Sequence, residues 1–298
     1  MLPLCLPSNS TDMASLGEKE TQRAVWSEIV STARTWHYDR YLAATLAPRH
    51  IRHDLIVLAA FAGEIDHILV TLTEPAIAAI RLQWWRDAIG EKGMKATGNP
   101  LADTLRETIH RHNLPEHLFI DYIDTQDIEL YSDLAPDLDA LLKHFIKRDG
   151  ALFGLATRIF VEAPSSESDL ALKAGAQAYG LARTLAELPW RLKARQFLLP
   201  ADMALQHGFH PGETVELSRA VSLRDALADV ARGHLEEYRR DLRSIPPSIR
   251  TAVLPIALTG LYLHVASRHH DAAKAFDVKP SHLARAWYML YAYWSGSI

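Results

Sequence analysis

The chain has 298 residues, of which 48% are hydrophobic and 23% charged, and its formal net charge is −4. This composition is typical of a globular protein with one large domain or two small ones, and the slight acidic excess argues against nucleic acid as a partner. The single cysteine excludes an intrachain disulfide framework, and no run of about 18 apolar residues predicts a transmembrane helix.

The N-terminal residues 1–20 are polar and aperiodic, and we expect them to form a flexible arm. Either Met1 or Met13 is a candidate for the true start. Residues 21–298 are expected to form a single all-helical domain. Its first helical pattern ends at Leu46, because a proline follows two residues later.

The central stretch, residues 54–89, predicts two consecutive helices. The first is apolar nearly all round, which is typical of a helix buried in the centre of a large helical domain. It nevertheless carries Glu64 and Asp66. A carboxylate in such a helix is costly unless it is paired, bound to a metal or facing a wet cavity. The second helix begins at Pro75, where the missing N–H costs nothing.

Loops and breakers divide the chain into about ten helices. Asp137 is a predicted N-cap. A long helix from Asp169 is expected to stop at Pro189, and Pro255 predicts a kink. The last helix begins near Pro280 and is rich in aromatic residues. No segment predicts a strand, so the fold class is all-α with a thick core.

Several familiar catalytic patterns are absent from the sequence. It contains no GxGxxG, GxxxxGK[ST], GxSxG or HExxH motif, and its histidines are scattered. The remaining candidates for site chemistry are carboxylates and arginines on buried helices.

Two parts of the chain resemble the squalene/phytoene synthase family. The matching positions in the first part are Tyr41, Ala44, Ala47, Pro48, Arg52, Ala60, Phe61, Asp66 and the run 81–86. In the second part they are Arg183, Ala186, Glu187, Arg191 and the run 198–202. Within this family the chain is most similar to the complex I assembly factors that contain a squalene/phytoene-synthase-like domain. The segments shared with that branch are 61–64, 81–85, 111–114, 185–189, 197–200 and 290–294.

The resemblance implies an isoprenoid-synthase-type helical bundle with a central cavity. In active members, two acidic motifs hold Mg²⁺ ions that clamp the diphosphates of prenyl substrates, which suits the oxygen preference of Mg²⁺. The implied catalytic residues are Asp66, also the implied metal ligand, and Glu187. The implied diphosphate- or anion-binding residues are Arg52, Arg183, Arg191 and Arg195. The implied cavity-lining residues are Tyr41, Phe61, Glu64, Val70, Gln83 and Trp84.

The sequence departs from the family pattern at its acidic motifs. Val70 stands where the first motif has a second aspartate, on the same helix face as Asp66. Arg191 stands at the second acid of the other motif, where its charge would repel Mg²⁺. Two interpretations of Asp66 are possible: it is a carboxylate that faces the cavity, or it is a buried acid paired with an arginine such as Arg183. Glu187 is alternatively a partner of Arg191.

These departures favour a non-catalytic binding or assembly factor for respiratory complex I, without a cofactor. The alternative is a prenyltransferase that condenses isoprenyl diphosphates with altered use of Mg²⁺. A prenyl lipid or diphosphate ligand and a complex I subunit are the expected partners. One cysteine fits a reducing compartment, so we expect a cytoplasmic location, with peripheral contact at the inner membrane face as an extension. The aromatic residues 287–294 could contact a membrane, a partner or their own domain.

Overall fold

A computed structural model of the chain describes residues 9–296, apart from 73, 92, 94, 132–133, 163, 195–197, 209–216 and 269–279. For residues 9–18, 131, 189–194 and 217–220 it describes the backbone alone.

Thirteen α-helices follow one another in the described residues. They are α1 (Asn9–Trp36), α2 (Tyr38–Leu46), α3 (Arg49–Thr71), α4 (Pro75–Gly90), α5 (Pro100–Arg111), α6 (Glu116–Tyr131), α7 (Leu138–Phe145), α8 (Ala151–Phe160), α9 (Ser166–Ala194), α10 (Ala201–Gln206), α11 (Leu217–Asp241), α12 (Thr259–Ser267) and α13 (His282–Ser295). A π-helical turn (Ile146–Gly150) joins α7 to α8, and 3₁₀-helices span Leu242–Ser244 and Pro247–Leu258. Over the described ranges there is no strand, only an isolated bridge between Ala135 and Pro200, so the predicted all-α class is confirmed.

Helices α3 and α9 form the centre of the bundle. Helix α3 packs against α1, α2, α5 and α8, and α9 packs against α11 and α12. As its all-round apolar pattern predicts, α3 is buried over most of its length. Glycine permits close approach on both helices. A Cβ added at Gly63 would lie 3.0 Å from Trp36 Cβ, and one at Gly180 would lie 2.7 Å from Phe145 Cδ1.

Two predicted boundaries differ from the structure at the N-terminal end. Helix α1 already begins at Asn9, so it takes in most of the segment that we expected to be an arm; residues 1–8 lie outside the described part. Good helix formers (Met, Ala, Leu, Glu and Lys) follow the polar start of α1, which favours this helix. The helical pattern that ends at Leu46 is broken at His37 into α1 and α2.

Two predictions from proline also need correction. Helix α9 continues past Pro189 to Ala194. The buried neighbours Leu185 and Leu188 hold this part of the helix against the core, and such packing outweighs the loss of one backbone hydrogen bond. Around Pro255 the chain forms a 3₁₀-helix in place of a kinked α-helix. Its tighter hydrogen-bond pattern accommodates the residue that lacks an N–H.

One helical stretch, Pro247–Ser267, is long and apolar enough by length and composition to cross a membrane. Its most apolar window is 72% buried inside the protein. The same apolar surface therefore serves as core packing against α8 and α9.

Candidate functional site

Asp66 lies on α3 and is held by three side chains, two from α6 and one from His37, the residue between α1 and α2. Its carboxylate accepts hydrogen bonds from Tyr122 Oη (2.5 Å) and Gln126 Nε2 (3.3 Å), and His37 Nε2 lies 3.0 Å away. The Asp66 side chain is 24% exposed. The partner suggested by the sequence, Arg183, is also present, with its Nη2 3.9 Å from Oδ2. Asp66 is thus an anchored acid with most of its acceptor capacity in use.

The ionisation of this group follows from its partners. Burial raises the pKa of Asp66, but the charge and hydrogen bond of His37, with Arg183 and Tyr122, outweigh it and hold the pKa at about 2. Burial and the neighbouring Asp66 raise the pKa of Tyr122 well above 10. At neutral pH Asp66 is therefore ionised and Tyr122 remains a hydrogen-bond donor.

Arg183 stands between the two candidate catalytic acids. It lies on α9, and its Nε is 3.9 Å from Glu187 Oε1 while its Nη2 is 3.9 Å from Asp66. Burial lowers the pKa of Arg183, but the surrounding acids, Asp149 and Glu187 foremost, raise it well above its ordinary value. A permanent positive charge therefore occupies the space that both acids face.

Further inside, a second set of buried charges lies beside Arg183. Asp149, on the π-helical turn, accepts hydrogen bonds from Arg40 Nη2 (3.2 Å) and Arg148 Nε (3.0 Å). Arg148 Nη1 also donates to Glu129 Oε1 at 3.0 Å. Burial raises the pKa of Asp149, but Arg148, Arg183 and Arg40 outweigh it and lower the pKa. We call Asp66, Glu187, Asp149, Glu129 and the three arginines the internal charge network.

The sequence did not single out most of this network. One signal was available: Arg148 and Asp149 form a charged pair inside the apolar run of α7 and α8, and buried charges occur in pairs. His37 and Tyr122 gave no signal, because they are 29 and 56 residues from Asp66 in the chain.

The other predicted anion-binding residues do not join this network in the described residues. Arg52 Nη2 donates to the carbonyl of Ala47 at 2.9 Å and so closes the turn between α2 and α3. The side chain of Arg191 and the whole of Arg195 lie outside what the structure describes. Of the two whose side chains the structure describes, Arg52 and Arg183, it is Arg183 that lies beside Asp66 and Glu187.

The predicted cavity-lining residues occupy three kinds of position. Phe61 has no exposed surface and packs against Trp85, Phe119 and Tyr122, so it borders no space that admits water. Val70 and Gln83 are exposed, Val70 by 51%. The remaining three, Tyr41, Glu64 and Trp84, are half-buried. Glu64 pairs with Arg81 at 3.3 Å, and the Arg81 guanidinium lies 5.5 Å above the ring of Trp84.

A small apolar pocket lies elsewhere, between α2, α3, α8 and the 3₁₀-helix that precedes α12. Its lining includes Arg40, Leu55, Leu152 and Pro255, and it has room for about 20 Å³. That volume holds about one or two water molecules and is far below the several hundred Å³ typical of ligand sites. None of the predicted cavity-lining residues borders it.

The acids do not form a metal site of the expected kind. Within the described part of the chain, no group of three or more His, Cys, Asp or Glu residues is placed to hold a metal ion. Asp66 and Glu187 share a guanidinium, and Mg²⁺ prefers several oxygen ligands in octahedral geometry. This donor set does not fit the magnesium ions that the resemblance implies.

The helical bundle around α3 and α9 is an isoprenoid-synthase-type fold. A dehydrosqualene synthase solved with a ligand superposes with a TM-score of 0.72 at 15% identity, over 93% of this chain and 99% of that one. Squalene synthase HpnC from Alicyclobacillus acidocaldarius gives 0.63 at 18% identity, over 81% and 92%. The family model for squalene/phytoene synthases matches residues 33–290. The chain belongs to the squalene/phytoene synthase family.

Curated relatives point to one branch of this family. The mouse protein named NADH dehydrogenase (ubiquinone) complex I, assembly factor 6 is 24% identical over 235 residues, which are 78% of this chain and 70% of that protein. The protein of the same name from Bos taurus is 26% identical over 230 residues, 76% and 69% of the two chains. The predicted family and branch are therefore confirmed as those that the chain is similar to.

Proposed function

We propose that this chain is a non-catalytic member of the squalene/phytoene synthase family that acts in the assembly of respiratory complex I. The similarity to relatives named as complex I assembly factor 6 supports the assembly role. The position of Arg183 between Asp66 and Glu187 supports the absence of catalysis, and it is the observation that carries the proposal.

The chemical argument concerns charge. Departure of a diphosphate needs concentrated positive charge that is supplied when the substrate binds, and Mg²⁺ ions supply it where free carboxylates gather them. Here Asp66 is already bonded to Tyr122 and Gln126. The guanidinium of Arg183 cannot be deprotonated and repels a divalent cation. The acids therefore stabilise the bundle in place of binding metal.

We extend the proposal to the partners in the same terms. The chain associates with a subunit or an assembly intermediate of complex I, and it needs no cofactor to do so. A prenyl lipid or diphosphate, if bound, is held without reaction. We propose that the protein is located in the cytoplasm, with peripheral contact at the inner face of the membrane.

Deletion of the gene from its host tests the assembly role. We expect less mature complex I on native gels and lower NADH:ubiquinone oxidoreductase activity in membranes. Wild-type protein and Asp66→Asn should both restore complex I when they are expressed to equal levels. Normal complex I after deletion, or failure of Asp66→Asn at matched protein level, contradicts the proposal.

A second assay addresses the enzymatic alternative. Purified wild-type protein and Asp66→Asn are incubated with Mg²⁺ and either farnesyl or geranylgeranyl diphosphate, and released diphosphate is measured. We expect the wild-type protein to release no more diphosphate than Asp66→Asn does. Turnover that Asp66→Asn abolishes would establish a prenyltransferase with altered metal use.

A further inference from the structure

Helix α13 presents an exposed aromatic face. Its large exposed side chains and their exposed fractions are Leu283 (84%), Trp287 (70%), Tyr288 (47%), Tyr291 (64%), Tyr293 (43%) and Trp294 (77%). With rings of roughly 200 Å² each, the five aromatic residues expose about 600 Å². That area reaches the upper end of the largest patch on a typical monomer, and patches of this size mark contact surfaces.

The exposed side chains of α13 differ in chemistry according to their position around the helix axis. At 100° per residue, Leu283, Trp287 and Trp294 share one line that points directly away from the protein, opposite the buried Met289 and Ala292. On the same projection Tyr291 lies about 60° from that line, and Tyr288 and Tyr293 lie about 120° and about 100° from it on opposite sides, beside the buried face. The side chains without a hydroxyl therefore form the crest, and phenol groups lie along both slopes.

The underside of α13 is fixed to the bundle. Met289 and Ala292 are buried and the helix packs against the 3₁₀-helix Pro247–Leu258. Arg285 Nη1 donates to Asp39 Oδ1 at 3.0 Å. Ser281 caps the first turn through a hydrogen bond from Ala284 N (3.1 Å). The crest is thus held outward on a rigid element.

Positive charge flanks the crest at both ends. At the N-terminal end, exposed Arg34 lies in the last turn of α1, four residues before Tyr38, whose ring centroid is 4.1 Å from that of His282 at the start of α13. At the C-terminal end, Arg250 Nη1 lies 3.7 Å from the place a Cβ of Gly296 would take. Helix α13 itself contains no acidic residue. This arrangement is complementary to an anionic surface.

We propose that α13 is a membrane-surface contact, with Leu283, Trp287 and Trp294 inserted at the headgroup level of an anionic bilayer. Trp and Tyr favour that level because their rings are apolar at one end and polar at the other. The flanking tyrosine hydroxyls then face the headgroups, and Arg34 and Arg250 lie near lipid phosphates. A crest that is exposed along its length suits a soft surface better than a shaped pocket. This inference is independent of the assembly role, since vesicle binding measures neither complex I nor prenyl chemistry.

The test is sedimentation of the full-length protein with two kinds of vesicle, phosphatidylcholine alone and an equal mixture of phosphatidylcholine and phosphatidylglycerol. We expect binding to the mixed vesicles, weaker binding to the neutral ones, and weakening as salt rises from about 0.1 M to about 1 M. The double variant Trp287→Ala, Trp294→Ala should reduce the partition coefficient at least about tenfold. Arg34→Gln should reduce binding to the mixed vesicles only.

The matched control removes exposed apolar surface elsewhere. Ile80 on α4 and Leu170 on α9 are 71% and 62% exposed, and Ile80→Ala, Leu170→Ala should leave partitioning unchanged. Equal thermal unfolding of all variants shows that they are folded. Absent vesicle binding by the wild type, or binding that survives loss of both tryptophans, overturns the proposal. So does a dimer in analytical ultracentrifugation that the tryptophan variant dissociates, because a second copy would then cover α13.

Discussion

Asp66 offers a direct test of whether the acids of the internal charge network stabilise the fold or are kept for chemistry. The change is Asp66→Asn, which keeps an acceptor for Tyr122 Oη and removes the negative charge. The pKa of Asp66 falls from its ordinary 3.8 to about 2 in the folded protein. At 1.36 kcal/mol per unit, ionised Asp66 stabilises the fold by about 2 kcal/mol. The side chain is 24% exposed, so solvent screening reduces this value little.

The pH dependence has a defined sign. Because the folded pKa is lower than the unfolded pKa, the stabilisation is fully present above about pH 4 to 5 and is lost as pH falls through about 2. The difference in free energy of unfolding between wild type and Asp66→Asn should be about 2 kcal/mol at pH 7. It should fall to roughly half of that at pH 3.

The measurement is urea unfolding followed by circular dichroism at pH 7, 5, 4 and 3. Asp139→Asn is the control, because Asp139 is 73% exposed and pairs with exposed Lys143 on the same helix. It should change the free energy of unfolding by less than about 0.5 kcal/mol. If Asp66→Asn is as stable as wild type, or more stable, the reasoning is refuted, since acids kept for function commonly cost stability.

Two further predictions concern packing and the attachment of α13. Gly175→Ala should destabilise the protein by about 1–3 kcal/mol, because its Cβ would lie 2.5 Å from Ile256 Cδ1. Gly233→Ala on α11, whose added Cβ would have no heavy atom within 4 Å, should stabilise the protein by about 0.5–1 kcal/mol. If thermal unfolding shows the same change in stability for Gly175→Ala and Gly233→Ala, the packing described around Gly175 is contradicted. Arg285→Gln leaves the buried carboxylate of Asp39 without its cation and should cost roughly 3 kcal/mol. Amide exchange should then speed up in α13 but not in α9, and unchanged exchange in α13 would contradict its anchoring role.

Features set by neighbouring residues were predictable from the sequence. The burial of α3 follows from its all-round apolar pattern, and Pro75 starts α4 as expected. Asp137 caps α7 through a hydrogen bond from Ala140 N at 2.8 Å, as its residue type predicts. Each of these depends on groups within a few positions along the chain.

Features set by tertiary contact were not predictable in the same way. The continuation of α9 through Pro189 depends on packing that no local rule contains. The partners of Asp66 come from α6, from α9 and from the residue between α1 and α2. The sequence offered Arg183 as one possible partner of Asp66, and the fold confirms that pair and adds the partners that the sequence did not suggest, His37, Tyr122 and Gln126.

The internal charge network also bears on the proposal that this chain works without the metal ions of active family members. An acid facing a cavity is costly when nothing balances it, so loss of metal binding leaves a destabilised bundle unless another cation arrives. Arg183 supplies that cation from α9, at equal distances from Asp66 and Glu187. Val70, one turn after Asp66, is exposed and leaves only one acid on its helix face. An internal arginine and one fewer carboxylate together reduce the negative charge that would attract magnesium, which supports the proposal that the chain works without a metal.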